Sequence, residues 1–215
     1  AVILTKNEEE VLAGCLNCLT WCQEIVIIDT GSCDKTVEIA ENFGARVVAF
    51  KHASFARLRE EGLKHVKTAW VFYIDADERV TPVLANEIIA QVADHQSELG
   101  VFKLKRQNIF YGQTMQAGGW QEDAVERIFC CEKLKGWRGE IHETPIFEGE
   151  ALLLKTSLVH LTHRSIVDGL IKSAQWTPLE AKLLFEAQAA SVSFLTLIRK
   201  GLGEFLRRAI LKRGY

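Results

Sequence analysis

The sequence predicts an α/β protein whose first hundred residues form a Rossmann-like, mostly parallel sheet. Short apolar runs alternate with amphipathic stretches there, which is typical of strand–helix–strand units. The runs Glu24–Asp29 and Trp70–Asp75 are continuous and rich in β-branched and aromatic residues. Such runs indicate strands that are buried on both faces. Both runs end in an aspartate.

The elements can be assigned in order along the chain. Strands are expected at 1–5, 24–29, 46–50, 70–75, 101–107, 126–130 and 152–160. Helices are expected at 8–21, 34–43, 54–67, from Pro82 onward, and from Ser165 to the end with a break near Thr177–Pro178. Pro82 suits a helix start because the N–H that proline lacks has no helical partner there. A Gly- and Trp-rich loop region covers most of 112–139.

The length and the net charge of the chain limit the classes of protein to which it can belong. The 215 residues suit a body at 1–164, with halves at 1–100 and 101–164, and a helical tail at 165–215. A net charge of −2 argues against a general nucleic-acid binder, although the residues from Arg199 onward are strongly basic. No apolar run reaches the ~18 residues that a membrane-spanning helix needs. Cys15 and Cys22 share one helical face with Leu12 and Leu19, which predicts a buried apolar face rather than a zinc site.

Acidic residues stand where the predicted strands end. In open α/β sheets, ligands bind beyond the carboxyl ends of the strands, where Asp29 and the Asp75-Ala76-Asp77 triplet lie. The D-x-D spacing lets two carboxylates face one hard cation such as Mg²⁺ or Mn²⁺. A strand-end turn held by local hydrogen bonds is the alternative. The chain lacks the G-x-G-x-x-G and G-x-x-x-x-G-K-[ST] motifs, which disfavours dinucleotide and P-loop sites.

The order of the motifs resembles that of the inverting family-2 glycosyltransferases of the GT-A fold. The resemblance rests on the stretches Thr5–Glu9, Ile28–Thr36 and Asp75–Glu78. Later stretches are similar to the lipopolysaccharide inner-core β-1,4-glucosyltransferases, namely Gly118–Trp120, Glu126–Phe129, Trp137–Glu143 and His160–Ser165. The resemblance implies a nucleotide-binding half at 1–100, a mixed acceptor half at 101–164 and amphipathic C-terminal helices.

The resemblance also implies a set of donor-binding residues. Asn7 and Glu8 would line the nucleotide pocket, although Glu8 also suits a helix N-terminus. Asp29 would contact the base or ribose, and Thr30 stands where many relatives carry aspartate. Arg59 would face the diphosphate, its alternative being a solvated helix charge.

Further roles follow from the same resemblance. Arg127 would approach the phosphates or pair with a neighbouring glutamate. Asp75 and Asp77 would hold the metal, with His142 as third ligand and His160 and His163 competing for that position. The loops could supply Trp120 and Trp137 for stacking on a sugar, or use them in core packing.

Inverting transfer requires a general base for the acceptor hydroxyl. Asp123 matches the family's base position in the loop after the acceptor strand, and Glu122 is the second candidate. The alternative is that both are acids of a surface loop.

The basic tail carries an apolar stripe between Phe194 and Leu211, with arginines and lysines among the apolar residues. This composition is typical of a helix that lies in a membrane interface and is attracted by anionic lipid. A helix packed on the body with solvated charges explains it equally well.

Together these observations predict a metal-dependent hexosyltransferase. Its donor would be a nucleoside-diphosphate sugar, with UDP-glucose preferred, and its acceptor a glycolipid or glycan of the lipopolysaccharide core type. It would be cytoplasmic, peripheral on the inner face of the cell membrane. Alternatives are a transferase that acts on polyprenyl phosphate or another glycan, and a non-catalytic nucleotide-sugar-binding relative.

Overall fold

The structure is a computed structural model that describes residues 1–52, 54–94, 99–117, 123–139, 143–162, 165–186, 188 and 193–211. The strands are β1 (Val2–Thr5), β2 (Val26–Asp29), β3 (Arg46–Ala49), β4 (Trp70–Phe72), β5 (Glu78–Arg79), β6 (Leu99–Phe110), β7 (Gln113–Thr114), β8 (Ala124–Cys130), β9 (Leu134–Arg138), β10 (Thr144–Phe147), β11 (Glu150–Leu153) and β12 (Leu158–His160). The helices are α1 (Leu12–Asn17), α2 (Thr36–Asn42), α3 (Phe55–Lys64), α4 (Pro82–Asp94), α5 (Ile166–Glu186) and α6 (Phe194–Leu206), and α6 continues into a π-helical turn at Arg207–Leu211. The predicted α/β class is confirmed.

The parallel sheet has the order β1-β2-β3 and is covered on both faces. Ile3 and Ile27 point into one core, which also contains the buried residues of α1 and α4. Their neighbours Val2, Val26 and Ile28 point into a second core, under α3. The strand side chains alternate between two buried faces, which explains why these strands are apolar along their whole length.

The end of β4 lies beside β1. Val2 and Tyr73 form a parallel bridge, and the Ile74 N–H donates to the Val2 carbonyl at 3.1 Å. In the ladder between β1 and β2, Thr5 lies opposite Asp29. Because these segments run in the same direction, the residues that follow them meet at one edge of the sheet.

The second sheet is mixed and begins at β4. Its order is β4-β8-β6-β12-β5, and β11 and β7 also pair with β6. The β12–β5 ladder is antiparallel and places His160 opposite Glu78. His160, 82 positions after Glu78 in the sequence, is therefore brought beside the acidic turn after β4, which comprises residues 75–78.

Two predicted elements were wrong in their extent. The predicted helix at 8–21 is shorter, because α1 covers only Leu12–Asn17 and turns follow it. The predicted strand at 152–160 is two strands, β11 and β12. Between them, the Glu87 carboxylate accepts the N–H groups of Lys155 and Thr156 at 2.8 and 2.9 Å, which fixes a turn.

The predicted helix break near Thr177–Pro178 was also wrong, since α5 continues through Pro178. Proline cannot donate to the carbonyl four residues before it. One residue earlier, the Thr177 hydroxyl donates to the Ser173 carbonyl at 2.7 Å and so adds a hydrogen bond in the same turn.

Contacts divide the chain into two units, one of residues 1–106 with 124–160 and one of residues 107–123 with 161–215. The first contains the parallel sheet and the acidic turn. The second contains α5 and α6. No helix in the described ranges is long and apolar enough to cross a bilayer. The predicted boundary at residue 164 stays a prediction.

Candidate active site

The loop after β2 is organised by Asp29. Its carboxylate accepts hydrogen bonds from the Thr5 hydroxyl (3.2 Å), the Gly31 and Ser32 N–H groups (2.9 Å each) and the Ser32 hydroxyl (2.5 Å). Burial alone would raise the pKa of Asp29, but these hydrogen bonds outweigh burial and lower it. Thr30 donates its hydroxyl to the Thr5 carbonyl at 3.2 Å. Asp29 therefore shapes this loop, and its predicted contact with a base or ribose stays a prediction.

Asn7 and Glu8 join the loop after β1 to the loop after β2. Asn7 has a left-handed backbone (φ 57°); its N–H donates to the Ser32 hydroxyl at 2.9 Å, and its side-chain oxygen accepts the Cys33 N–H at 2.8 Å. The Glu8 N–H donates to the Thr36 hydroxyl at 2.8 Å. The two residues thus lie at the predicted donor edge, and their part in donor binding stays a prediction.

Asp75 lies at the same edge and is held by arginines. Its carboxylate pairs with Nη2 of Arg127 and lies 3.8 Å from Nη2 of Arg59. Burial would raise the pKa of Asp75, but the positive charges of Arg127 and Arg59 outweigh it and hold the pKa well below its usual range. The side chain keeps 37% of its surface exposed. Asp75 is therefore an ionised carboxylate that a ligand can reach.

Glu78 lies next to Asp75, and the sequence did not predict a role for it. Its side chain is fully buried, and its carboxylate accepts Arg127 Nη2 at 2.5 Å and the Asp75 N–H at 3.0 Å. Arg106 Nη1 lies 3.8 Å away. Burial raises the pKa of Glu78, against the attraction of Arg127. The one signal in the sequence was an acid directly after the D-x-D triplet.

Arg79 ties the acidic turn to α1 and was also missed. Its guanidinium donates to the carbonyls of Ala76 (2.8 Å), Glu78 (2.7 Å) and Val11 (2.7 Å). It packs on Gly14, where an added Cβ would lie 2.8 Å from Nη2 of Arg79. One side chain therefore holds the backbone on both sides of Asp77.

The predicted apolar face of α1 also contacts this turn. Leu12 and Cys15 of α1 and Leu19 beyond its end are fully buried, as predicted, whereas Cys22 is only half-buried. The Cys15 thiol donates to the Asp75 carbonyl at 3.6 Å, and the Cys18 thiol accepts the Val80 N–H at 3.2 Å. All six cysteines are free thiols.

The donor set of the acidic turn fits a hard divalent cation. Asp75 and Asp77 follow a strand with one residue between them, and such cations complete their shell with water and substrate phosphate oxygens. His160 Nε2 lies 3.7 Å from the Asp77 carboxylate, whereas His142 and His163 lie outside the described residues. Within the described part of the chain, no three histidine, cysteine or acidic side chains form a complete metal site.

A cavity of about 410 Å³ opens beside Asp75 and is lined by Arg59, Arg106, Val125, Glu126, Arg127, Trp137, Glu143, Thr144 and Pro145. Arg59 is buried, pairs with Glu143 at 2.7 Å, and lies 5.3 Å from the Tyr73 ring centre and 5.0 Å from that of Trp137. Arg59 is therefore not a solvated helix charge. Trp137, 9% exposed, packs in the core while also lining this cavity.

Arg127 lines the cavity, but one of its donor atoms is buried away from it. Its Nε is buried and has no hydrogen-bond partner among the described residues. The Arg127 guanidinium therefore adds positive charge to the cavity lining, which favours an anionic ligand, rather than an accessible Nε donor.

The predicted general base belongs to the second unit. Asp123 accepts a hydrogen bond at 3.0 Å from the side-chain amide of Asn108, which is itself buried. The amide restricts the orientation of this carboxylate. Glu122 and Trp120 lie outside the described residues. The base assignment stays a prediction.

A family model described as Glycosyl transferase family 2 matches residues 1–144. The chain belongs to glycosyl transferase family 2. The acidic turn and its cavity therefore lie in the domain that defines this family of sugar-transferring enzymes.

The curated relatives of this glycosyltransferase match very different shares of its chain. It is 25% identical over 193 residues to the lipopolysaccharide core biosynthesis glycosyltransferase LpsC of Rhizobium meliloti, a match that spans 84% of this chain and 69% of LpsC. It is 35% identical over 89 residues to an uncharacterized glycosyltransferase of Rickettsia bellii, spanning 41% of this chain and 30% of that protein. Against the Rickettsia relative, the match thus covers less than a third of the longer protein.

Solved structures confirm the predicted GT-A fold. Residues 1–349 of S. aureus TarS in complex with UDP-GlcNAc superpose with a TM-score of 0.54 and 14% identity, covering 97% of this glycosyltransferase and 66% of that TarS fragment. Glucosyl-3-phosphoglycerate synthase of Mycobacterium tuberculosis, in complex with Mn²⁺, UDP and glucosyl-3-phosphoglycerate, superposes with a TM-score of 0.52 and 16% identity. The match covers 88% of this chain and 80% of the synthase. At these identities the likeness is one of fold.

Proposed function

We propose that this glycosyltransferase transfers glucose from UDP-glucose, with inversion and with a divalent metal, onto a lipopolysaccharide core acceptor. The observation that supports this most directly is the ionised Asp75 carboxylate at the strand edge, which opens to a cavity with Arg59 and Arg127. Likeness to LpsC supports the choice of acceptor.

The arginines of the cavity suit the donor diphosphate. A guanidinium offers a planar set of N–H donors that matches phosphate oxygens. Arg59 is already positioned by Glu143 and the two aromatic rings, so little side-chain freedom is lost on binding. Arg127 adds a second positive charge to the cavity lining.

Asp75 and Asp77 would hold the metal, with His160 as the neighbouring imidazole. A bound Mg²⁺ or Mn²⁺ supplies positive charge that stabilises the departing diphosphate. The M. tuberculosis synthase of the same fold has been crystallised with Mn²⁺ and UDP, which favours this cofactor.

Asp123 is the proposed general base. Its carboxylate takes the proton of the acceptor hydroxyl while that oxygen forms a bond to the anomeric carbon. The bond from that carbon to the phosphate oxygen breaks, UDP leaves with the electron pair, and the configuration inverts. The Asn108 amide donates to this carboxylate at 3.0 Å and restricts its orientation.

An acceptor of this kind is carried by lipid. We therefore propose that the enzyme works at the inner face of the cell membrane, as a peripheral protein.

UDP release from UDP-glucose tests the proposal, measured with and without Mn²⁺. Asp77→Asn is expected to lower metal-dependent release about a hundredfold or more, because charge stabilisation of the leaving group is lost. Asp123→Asn should keep donor binding, measured by thermal shift, and lose transfer to acceptor by about 10²–10⁴-fold. Asp94→Asn, at an exposed aspartate, is the matched control and should retain both.

Two outcomes would contradict the proposal. A thermal shift with UDP-glucose but no release under any metal condition would indicate a binding protein. Full release by Asp77→Asn, or by the wild type in excess chelator, would exclude the acidic turn as the metal site.

A further inference from the structure

Helix α6 presents its whole apolar face to solvent. The Ser193 hydroxyl caps its start by accepting the Thr196 N–H at 3.2 Å. No residue of the helix is buried. The helix is thus well formed by its own capping and backbone bonds, and no described residue covers its apolar side.

The apolar face is continuous and large. Positions spaced by three and four residues place six bulky side chains on it, each 43–78% exposed: Phe194, Leu195, Ile198, Leu202, Phe205 and Leu206. Soluble monomers rarely leave an apolar strip of this extent in water, so it indicates a docking surface.

The charges around the face are cationic. The residues from Ser193 to Leu211 contain Arg199, Lys200, Arg207 and Arg208 against the single acid Glu204. That acid is paired with Arg207 Nε at 2.8 Å and Arg208 Nε at 3.0 Å. The sequence before Arg199 is net acidic, since the whole chain has a net charge of −2. An extended anionic surface would therefore be attracted to this helix.

Helix α5 provides a contrast. It also exposes apolar residues, among them Leu170 and Phe185, but its sequence carries three acids against two bases. An exposed apolar face therefore coincides with excess positive charge in α6 and not in α5.

We propose that α6 lies in the plane of an anionic lipid bilayer, with its apolar face inserted between the headgroups and its cationic side chains on lipid phosphates. A helix with these two faces gains free energy from apolar burial and from the negative surface of the membrane. This inference deepens the proposed function. It rests on that function for one point, that the acceptor is carried by lipid and lies at the membrane surface. The binding itself requires neither donor nor turnover.

Flotation of the full chain with lipid vesicles tests the inference. Vesicles of phosphatidylcholine mixed equally with phosphatidylglycerol should bind the protein, and vesicles of phosphatidylcholine alone should bind it at least about tenfold more weakly. High salt should weaken the binding. The double variant Leu202→Glu with Phe205→Glu should lose at least about tenfold in affinity.

The matched control places the same change on exposed apolar residues of α4, as Val83→Glu with Ile89→Glu, and should bind like the wild type. UDP release from soluble donor should be unchanged in the α6 variant, so that loss of vesicle binding is distinguishable from failure of the proposed chemistry. Equal binding to both vesicle types, or unchanged binding by the α6 variant, overturns the inference. The inference is also overturned if sedimentation velocity shows that the wild type is a dimer and that the α6 variant dissociates it, while neither protein binds vesicles.

Discussion

Buried charged side chains set the positions of the acids in the candidate site. Arg127 contacts both Asp75 and Glu78; the side chains of Arg127 and Glu78 are buried, whereas that of Asp75 stays partly exposed. Removing one member of such a group leaves an uncompensated buried charge, which destabilises a fold far more than loss of an exposed ion pair. The arrangement therefore keeps Asp75 ionised and restricts its orientation.

Replacing Arg79 by methionine tests a positioning role for that residue. The carbonyls of Ala76, Glu78 and Val11 would lose their donor, so the free energy of unfolding should fall by about 2–4 kcal/mol. The turn would lose its anchor to α1, and Mn²⁺ affinity, measured by calorimetry, should fall about 10–100-fold. Urea unfolding gives the first quantity.

The control for that variant is Arg57→Met, which removes an exposed arginine paired with Glu60 at 3.0 Å. It should change the free energy of unfolding by less than about 0.5 kcal/mol. If Arg79→Met lowers stability but leaves Mn²⁺ affinity at the wild-type value, Arg79 supports the fold and does not position the acids.

At the scale of elements, the packing of α3 on the parallel sheet brings Arg59 to the cavity. The helix can approach closely because Gly62 faces Val2 of β1, where an added Cβ would lie 2.5 Å from Val2 Cγ1. A larger residue there would move the helix away from the strand. The position of Arg59 therefore depends on a glycine three residues further along the same helix.

Gly62→Ala is expected to destabilise the protein although alanine is the better helix former. Helix propensity favours alanine by about 1 kcal/mol, but the contact with Val2 should outweigh this and give a net loss of about 1–3 kcal/mol. Urea unfolding measures it. Gly201→Ala in α6 is the control, because no described atom outside its own stretch of helix lies within 4 Å of the added Cβ, and it should cause no loss. Equal gains in both variants would contradict the close approach of α3 to β1.

Some element boundaries depend on partners that are distant in the sequence. The apolar run at 152–160 reads as one strand, yet Glu87 of α4 fixes a turn within it. Pro178 normally indicates a break, yet α5 continues past it. The local sequence pattern could not reveal the turn within 152–160, because the carboxylate that fixes it lies 68 residues earlier in the chain.

At the scale of the whole molecule, carboxylates that accept backbone hydrogen bonds connect loops that are far apart. For Asp29, Asp34 and Glu87, burial alone would raise the pKa, but hydrogen bonds outweigh it and lower the pKa of each. A carboxylate whose folded-state pKa is depressed stabilises the fold above its unfolded-state pKa, and this is lost as the pH falls through the folded value.

The free energy of unfolding should therefore decrease as the pH falls below about 4, where unfolded carboxylates begin to bind protons. Asp29→Asn should lower stability at pH 7 and reduce the decrease between pH 7 and acid. Urea unfolding across this range measures both. Glu41→Gln, at an exposed glutamate, should leave the profile unchanged. A profile for Asp29→Asn that runs parallel to the wild type would contradict the role of Asp29.

The sequence alone determined the α/β class, the two-sided burial of β1 and β2, and the acids at the strand ends, because these follow from local periodicity and from the order of motifs. The folded structure was needed to reveal that Arg127 and Glu78 hold Asp75, that His160 reaches Asp77, and that Arg79 binds carbonyls of two separate segments. Those contacts join residues up to 83 positions apart. Their geometry depends on how strands pair and how closely helices pack, which no local pattern specifies.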